Sequence, residues 1–429
     1  MESVSGDRSL EYKLQLGESA ANFDLEKAVC SHGFFMTAPN RWDPLSKTFH
    51  RPLRLLNDDV SSSSSVTVNI SQPLQSSYLI LRVLETDSLS PAHLQSLTEQ
   101  VKRMLRLSES EERNVREFQD VYDEAKISGF GRIFRSPTLF EDMVKCILVC
   151  NCQWSRTLSM ARALCELQLE LQCPIETEQD KQASTSSKFA PRTPAGKETR
   201  KRKINSQENS KKVATNKSAM EVEETIKMDC ANTPINLPEA DISGFLTESS
   251  EKTELPFHSG IGNFPSPKEL ATLDVNFLAK RCNLGYRASR ILGLAQSVVE
   301  GKVKLRQLEE DSSEASLSNY MKLNEQLGEI NGFGPFTRAN VLMCLGFYHV
   351  IPSDSETIRH LNQVHGKKST IRDIQEDIER IYGKYAPFQF LVYWSEIWSF
   401  YEERFGKLSE LPHSRYKLIT AANMKRKNK

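Results

Sequence analysis

A glycine turn between two helical segments, followed by an acidic residue, is the feature that most restricts how this chain can fold. The turn lies in Leu327–Asp354, where Gly332 and Gly334 bracket a phenylalanine and Pro335 begins the second helical segment. Glycine tolerates positive φ and the close approach of another backbone, and proline suits the first turn of a helix. Amides in such a turn favour an anion such as phosphate. The pattern predicts a helix-hairpin-helix at about residues 322–347, although a plain helix C-cap and turn has the same local sequence.

Asp354 follows the hairpin by about twenty residues. It stands before Ser355 and Glu356, where the N-cap of another helix belongs. A helix N-terminus stabilises a carboxylate, so capping and chemistry are compatible roles for one aspartate. Taken alone, the residue leaves both roles open.

The amino-terminal part of the chain has β character. After a polar tail (1–20), the runs Thr48–Leu55, Ser65–Gln72 and Ser77–Glu85 are separated by turn residues. They predict a small antiparallel sheet within residues 21–88. From Ser90 onward the pattern is helical, and Ser-Pro pairs at 90–91, 136–137 and 266–267 indicate helix starts. The predicted fold class is mostly α (α+β).

A polar stretch interrupts the helical pattern. One helical part spans 89–172 and a second, with the hairpin and Asp354, spans 256–412; a basic tail follows at 413–429. Residues 173–255 lack apolar periodicity, which predicts a disordered insert. Residues 180–220 hold eleven Lys/Arg against three Asp/Glu. Two basic clusters indicate a bipartite nuclear-localisation signal read by the import machinery, or else a solvated linker. The six residues of the clusters are Arg200, Lys201, Arg202, Lys203, Lys211 and Lys212.

Composition narrows the function classes further. Lys+Arg and Asp+Glu are equal at 56 each, so the total charge demands no polyanionic partner. No Cys-x-x-Cys pair occurs and no cysteine follows Cys344, so neither a zinc ribbon nor a carboxy-terminal iron–sulfur loop is indicated. We therefore expect reduced thiols, no metal and no cofactor. The apolar runs are too short to cross a bilayer, so we expect no membrane partner. We expect the protein to be a monomer in the nucleus.

Several segments together resemble the helix-hairpin-helix-GPD superfamily of DNA glycosylases, closest to its bacterial alkylbase (3-methyladenine) and 8-oxoguanine branches. Besides the hairpin, Phe140–Thr157 looks like the family's opening helix and DNA-inserting loop. Phe264–Gly301 looks like its middle helices, with a Leu-Gly-Tyr-Arg signature. The resemblance implies an enzyme that binds double-stranded DNA and hydrolyses the N-glycosidic bond of a damaged or modified base. Such a base must be flipped out of the duplex to be reached.

The resemblance also implies roles for individual residues. Asp354 falls on the catalytic aspartate, and the hairpin residues expected at the DNA backbone are Gly332, Phe333, Gly334, Thr337 and Arg338. Phe336 stands where the bifunctional branch has a nucleophilic lysine, so a monofunctional hydrolytic enzyme is expected. Alternatives are a non-catalytic DNA-binding protein and a glycosylase/lyase that takes its lysine from elsewhere. Arg338 departs from the small residue usual at its position.

Two further sets of residues are expected near a flipped base. Asn151 and Arg156 align with residues at the vacated stack and the opposite base, while Gln153 and Trp154 on the same loop are alternatives. Base-pocket candidates are Phe336, Tyr393, Trp394 and Trp398. Aromatics at helical spacing are more often core residues, and only Phe336 has positional support from the family. The sequence leaves the lesion open.

Overall fold

The fold is that of a computed structural model, which describes residues 8–55, 64–172, 261–420 and 423. This part contains fifteen α-helices and one five-stranded antiparallel sheet, so the predicted fold class is confirmed. None of its helices combines the length and apolar character needed to cross a membrane. The whole predicted insert (173–255), with all six residues of the basic clusters, lies outside the described residues. These six are Arg200, Lys201, Arg202, Lys203, Lys211 and Lys212.

The sheet has the strand order β1-β5-β4-β3-β2. Its strands are β1 Ser9–Gln15, β2 Arg41–Asp43, β3 Thr48–Arg54, β4 Ser65–Ser71 and β5 Tyr78–Leu84. The last three match the predicted runs within about one residue. The prediction that residues 1–20 are a polar tail is corrected by strand β1. Its Leu10, Tyr12 and Leu14 alternate with polar residues, and the strand pairs with β5. Alternation with period two is the pattern of a half-buried strand.

Six helices precede the insert. They are α1 Leu25–Val29, α2 Pro91–Leu105, α3 Glu109–Val121, α4 Asp123–Ser128, α5 Leu139–Val149 and α6 Trp154–Gln172. The Ser90 hydroxyl accepts the His93 amide at 3.1 Å, which confirms the predicted cap of α2. Helix α5 begins slightly later than its Ser-Pro pair indicated, since Thr138 is its N-cap.

Nine helices follow the insert. They are α7 Pro267–Ala271, α8 Val275–Arg281, α9 Arg287–Val299, α10 Leu305–Asp311, α11 Leu317–Gly328, α12 Pro335–Leu345, α13 Ser355–His365, α14 Ile374–Tyr382 and α15 Gln389–Phe405. Ser266 and Glu269 form a reciprocal capping box at the start of α7, as the third Ser-Pro pair predicted.

The amino- and carboxy-terminal regions share one core. The indole of Trp42 donates to the Ser409 carbonyl at 2.9 Å, and that of Trp394 donates to the Ser31 carbonyl at 2.9 Å. Tyr416 and Ile419 are buried against this core, so the predicted basic tail (413–429) packs on the fold through these two residues. Helix α15 is thereby held against the segment around α1.

A buried arginine fixes the second helix of the hairpin. Arg106 donates to the carbonyls of Met343 and Cys344, at 2.9 and 3.1 Å, and pairs with Glu111 at 2.7 Å. Arg135 donates to the same Cys344 carbonyl at 2.8 Å. These carbonyls belong to the last turn of α12, where the helix dipole favours cations. The position of α12 thus depends on a cationic cap from the preceding helical part.

Candidate nucleic-acid interface and catalytic carboxylate

The structure confirms the hairpin between α11 and α12. Gly332 has a φ of +86°, and Gly334 is the N-cap of α12 with ordinary backbone angles. The Phe333 side chain is buried, and its amide donates to the Ile330 carbonyl at 3.0 Å. The turn itself thus uses the Phe333 amide as a donor, and the phosphate contact of Phe333 stays a prediction. In the described part of the chain, no acceptor is paired with the amides of Gly332 and Gly334.

Arg290 of α9 lies against the turn. A Cβ built on Gly332 would stand 2.7 Å from Cδ and 2.9 Å from Cγ of Arg290. Only glycine fits here, because the arginine stem fills the space and the φ is positive. The hairpin therefore carries a cation beside its two unpaired amides, an arrangement suited to a phosphate oxygen.

The loop between α5 and α6 is attached to α9 by Arg287. Arg287 is buried and donates to the carbonyls of Cys150 and Asn151, the latter at 3.2 Å. Its guanidinium lies 4.5 Å from the ring centroid of Tyr286, and that of Arg290 lies 4.8 Å from the same ring. Tyr286 is 47% exposed. An exposed aromatic ring with two cations packed against it can contact a nucleotide, and the cations attract phosphate.

The predicted insertion residues lie on this loop. Asn151 is exposed and has a φ of +45°, a left-handed conformation that costs energy unless its surroundings enforce it. Arg156 is exposed and donates to the Asn283 carbonyl at 3.2 Å. Trp154 packs its ring against Gly33, 3.2 Å from the position of a Cβ there, so it is the weaker alternative. The structure therefore brings Asn151 and Arg156 to the surface beside Tyr286.

We call this surface the arginine–tyrosine face and define it by Asn151, Arg156, Tyr286, Arg290 and the Gly332–Gly334 turn. The Leu-Gly-Tyr-Arg segment is part of the family resemblance, but the sequence predicted no site role for Tyr286, Arg287 or Arg290. The signal was present, since an aromatic residue sits among arginines in that segment. The contacts of Arg287 with the distant loop needed the three-dimensional structure.

Two residues that were predicted to contact the DNA backbone, Thr337 and Arg338, direct their side chains to protein neighbours. The Thr337 side chain is buried, and its hydroxyl lies 3.1 Å from the sulfur of Cys150, the C-cap of α5, so contact with the DNA backbone through this side chain is not supported and the assignment of Thr337 stays a prediction. Helix α12 packs against α5 along that side. Arg338 folds onto α11, donating to the Asn324 carbonyl at 3.4 Å and leaving little room at Gly328. Its side chain connects the two helices of the hairpin.

Asp354 is the N-cap of α13, as the local sequence predicted. Its Oδ1 accepts the Thr357 amide at 2.8 Å and lies 3.1 Å from the Thr357 hydroxyl. That hydroxyl is also hydrogen-bonded to Tyr393 at 2.7 Å. Burial raises the pKa of Asp354 above its usual value, although the hydrogen bonds from Thr357 act in the opposite direction. The Asp354 carboxylate is thus oriented through Oδ1 and partly buried.

The four predicted base-pocket residues have different surroundings in the structure. Tyr393 is buried, and Trp394 stacks on Phe390 with ring centroids 5.8 Å apart. Trp398 packs 5.9 Å from Trp394 in the same aromatic cluster. These three side chains form core, and Tyr393 reaches Asp354 only through Thr357. Phe336 is half-buried at the start of α12.

Comparisons with known proteins find structural likeness but no sequence match. No family model and no curated protein matches the chain. MBOgg1, solved with a low-affinity DNA ligand, is 15% identical, with 91% of this chain and 98% of that chain covered at a TM-score of 0.47. The Clostridium acetobutylicum 8-oxoguanine glycosylase/lyase is 10% identical, covering 90% and 97% at 0.48. The Archaeoglobus fulgidus 3-methyladenine DNA glycosylase is 14% identical, covering 90% and 98% at 0.45. The last two structures carry the names of the two branches that the sequence resembles.

Proposed function

We propose that this protein is a monofunctional DNA glycosylase that hydrolyses the N-glycosidic bond of a damaged or modified base in double-stranded DNA. The observation that carries the proposal is the oriented, partly buried carboxylate of Asp354, in a chain whose hairpin is built to receive phosphate. A raised carboxyl pKa at a helix N-terminus is unusual for a simple cap, because the helix dipole acts to lower it.

The arginine–tyrosine face supports binding to the duplex. Arg290 and the amides of Gly332 and Gly334 offer a cation and two donors to one backbone phosphate, which positions DNA without reading its sequence. Asn151 and Tyr286 are placed to fill or flank the gap that a flipped base leaves. Flipping costs a few kcal/mol of stacking, which contacts of this kind offset.

Asp354 would act on the sugar of the flipped nucleotide. As the bond to the base breaks, positive charge develops on the sugar ring, and a nearby carboxylate stabilises it. In a poorly solvated site this attraction is stronger than in water. The same carboxylate can accept a proton from the water that attacks the sugar carbon. The hydrogen bond from the Thr357 amide would hold the Oδ1 atom of the carboxylate in place.

Phe336 supports the hydrolytic route over a lyase route. A strand-cleaving glycosylase needs an amine to form a Schiff base with the sugar, and this position offers an aromatic ring instead. Half-buried at the first turn of α12, Phe336 is suited to contact the flipped base. Products should therefore be a free base and an intact strand with an abasic site.

A panel of duplexes, each with one alkylated, oxidised or deaminated base, tests the proposal. The expected result is base release from at least one duplex, with strand cleavage only after hot alkali and no adduct trapped by borohydride. An adduct would show a lyase and overturn the monofunctional assignment. Tight duplex binding without base release from any member would favour a non-catalytic DNA-binding protein.

We also propose that the protein acts in the nucleus. The support is the basic run Arg200–Lys203 with its second cluster at Lys211 and Lys212. Alanine at the four residues of the run should reduce nuclear accumulation of a fluorescent fusion. Unchanged accumulation would overturn this assignment.

A further inference from the structure

Four polar side chains from three helices converge behind the aromatic cluster. His360 and His365 come from α13, Tyr382 from α14 and Glu396 from α15. We call them the histidine–glutamate cluster. His360 and Tyr382 are fully buried, while His365 and Glu396 are partly exposed, which leaves one side open to solvent. The sequence did not indicate this group, because Tyr382 and Glu396 lie well beyond the two histidines along the chain.

The polar atoms of the cluster lie within hydrogen-bonding distance of one another. Glu396 Oε2 lies 3.0 Å from His360 Nε2, 2.8 Å from His365 Nε2 and 2.6 Å from the Tyr382 hydroxyl. The Tyr382 oxygen in turn lies 3.1 and 3.0 Å from the two imidazole nitrogens. Ligand atoms around a tetrahedral zinc ion are separated by roughly 3.3 Å, given bonds of about 2.0–2.1 Å. A modest outward adjustment of the four atoms would accommodate such an ion.

Hydrogen bonding alone leaves two of these contacts without a proton of their own. Two neutral imidazoles and one phenol supply three protons, but five close contacts connect the four atoms. Two contacts therefore lack a proton. If all three protons point to Glu396, one carboxylate oxygen accepts three hydrogen bonds and the Tyr382 oxygen faces two imidazoles without receiving any. A central cation removes this conflict, because every one of these atoms can then direct a lone pair to it.

We propose that His360, His365 and Glu396 bind a zinc ion, with Tyr382 at the fourth position as a ligand or as a hydrogen-bond donor to Glu396. Two imidazoles and one carboxylate form a donor set that zinc accepts in proteins. The partly exposed side at His365 and Glu396 gives the ion a path of entry. This site is separate from the proposed catalytic chemistry and does not depend on it.

The ion would tie together the helices that hold Asp354. His360 and Tyr393 pack edge to face, with ring centroids 5.3 Å apart, and Tyr393 is hydrogen-bonded to Thr357. Thr357 holds the carboxylate of Asp354. The site would therefore stabilise the helix that begins at Asp354, together with α14 and α15, and its role is structural.

Metal analysis of the full chain tests the proposal. The protein is stripped with a chelator, equilibrated with Zn²⁺, freed of excess metal by gel filtration and analysed by mass spectrometry. One zinc per chain and a higher Tm with zinc are the expected results for the wild type. His365→Gln and Glu396→Gln should each weaken zinc binding by more than the roughly 10–100-fold typical of outer-shell changes. His349→Gln is the matched control, because His349 lies outside the cluster beside Tyr320.

Cobalt substitution identifies the ligands independently. Co²⁺ at this site should give the visible bands of a tetrahedral ion without a thiolate charge-transfer band, and both cluster variants should lose them. A thiolate band would assign the metal to cysteines and overturn the proposal. So would a wild type that retains no zinc, or cluster variants that bind zinc as the His349 control does. Circular dichroism of each metal-free variant establishes that it is folded.

Discussion

Replacing Gly332 with alanine is the most informative single change in the hairpin. The residue has a φ of +86°, and Arg290 Cδ lies 2.7 Å from where the new methyl would stand. The substitution therefore strains the backbone and displaces a cationic side chain at once. Gly334→Ala is the matched control, because Gly334 has a φ of −71° and no atom within 4 Å of the corresponding position.

The cost at Gly332 has two parts. Placing an L-residue in the left-handed region costs about 1–2 kcal/mol. Displacing the Arg290 stem adds on the order of 1 kcal/mol, at the low end for overpacking. The lower entropy of the unfolded alanine chain offsets about 0.4–1 kcal/mol, so the net loss of stability is about 1–3 kcal/mol. Gly334→Ala should change stability by less than about 0.5 kcal/mol, since loss of a glycine N-cap opposes the entropic gain.

Urea unfolding measures stability, and fluorescence anisotropy measures affinity for an undamaged duplex. Gly332→Ala should weaken both, whereas Gly334→Ala should weaken only DNA binding, because its methyl covers the turn where phosphate approaches. In an Arg290→Ala background, Gly332→Ala should lose only its backbone cost, giving a coupling energy of about 1 kcal/mol. Equal stability of the two alanine variants, or zero coupling with Arg290, would refute this account of the turn.

Three further changes test neighbouring contacts. Burial raises the pKa of Asp354, so the folded state disfavours the charged carboxylate. The folded protein therefore loses stability as the pH rises from the pKa of the unfolded chain to that of the folded one. Asp354→Asn should have the higher Tm at pH 7, and the difference should vanish in acid. A lower Tm for the variant at pH 7 would contradict that sign. Tyr286→Ala should weaken duplex binding by about 1–3 kcal/mol with little change in Tm, as expected for an exposed stacking ring; unchanged anisotropy titrations would exclude the role. Arg106→Met should cost about 2–4 kcal/mol in urea unfolding, because the Met343 and Cys344 carbonyls lose a buried donor and Glu111 keeps only its ion pair with Arg135 at 3.3 Å; a near-neutral result would contradict this role of Arg106.

Local rules predicted the hairpin and the helix caps well. Ser90, Ser266 and Asp354 cap helices because a side-chain oxygen and nearby amides suffice, and these lie within a few residues of one another. Gly332 needs its positive φ for the same local reason. Strand β1 was also readable from its period-two alternation, but the charged residues around it indicated a tail.

Tertiary contacts determine the environment of the residues whose surroundings the sequence did not predict. Thr337 is buried because α12 packs against α5 through Cys150, a partner far along the chain. Arg287 acquires its role only when the α5–α6 loop folds against α9. The histidine–glutamate cluster likewise draws on three helices. A single sequence does not show which distant residues come into contact.

The most direct test of the central claim is the single-turnover rate of base release by Asp354→Asn, on whichever duplex of the lesion panel the wild type cleaves. Asp274→Asn is the matched control, because Asp274 caps α8 by accepting two amides and has no proposed role in chemistry. The account predicts at least about 100-fold slower release for Asp354→Asn, the scale of losing a preorganised electrostatic group, and a near wild-type rate for the control. Base release by Asp354→Asn at the wild-type rate, with duplex affinity unchanged, would contradict the claim that this carboxylate performs the reaction.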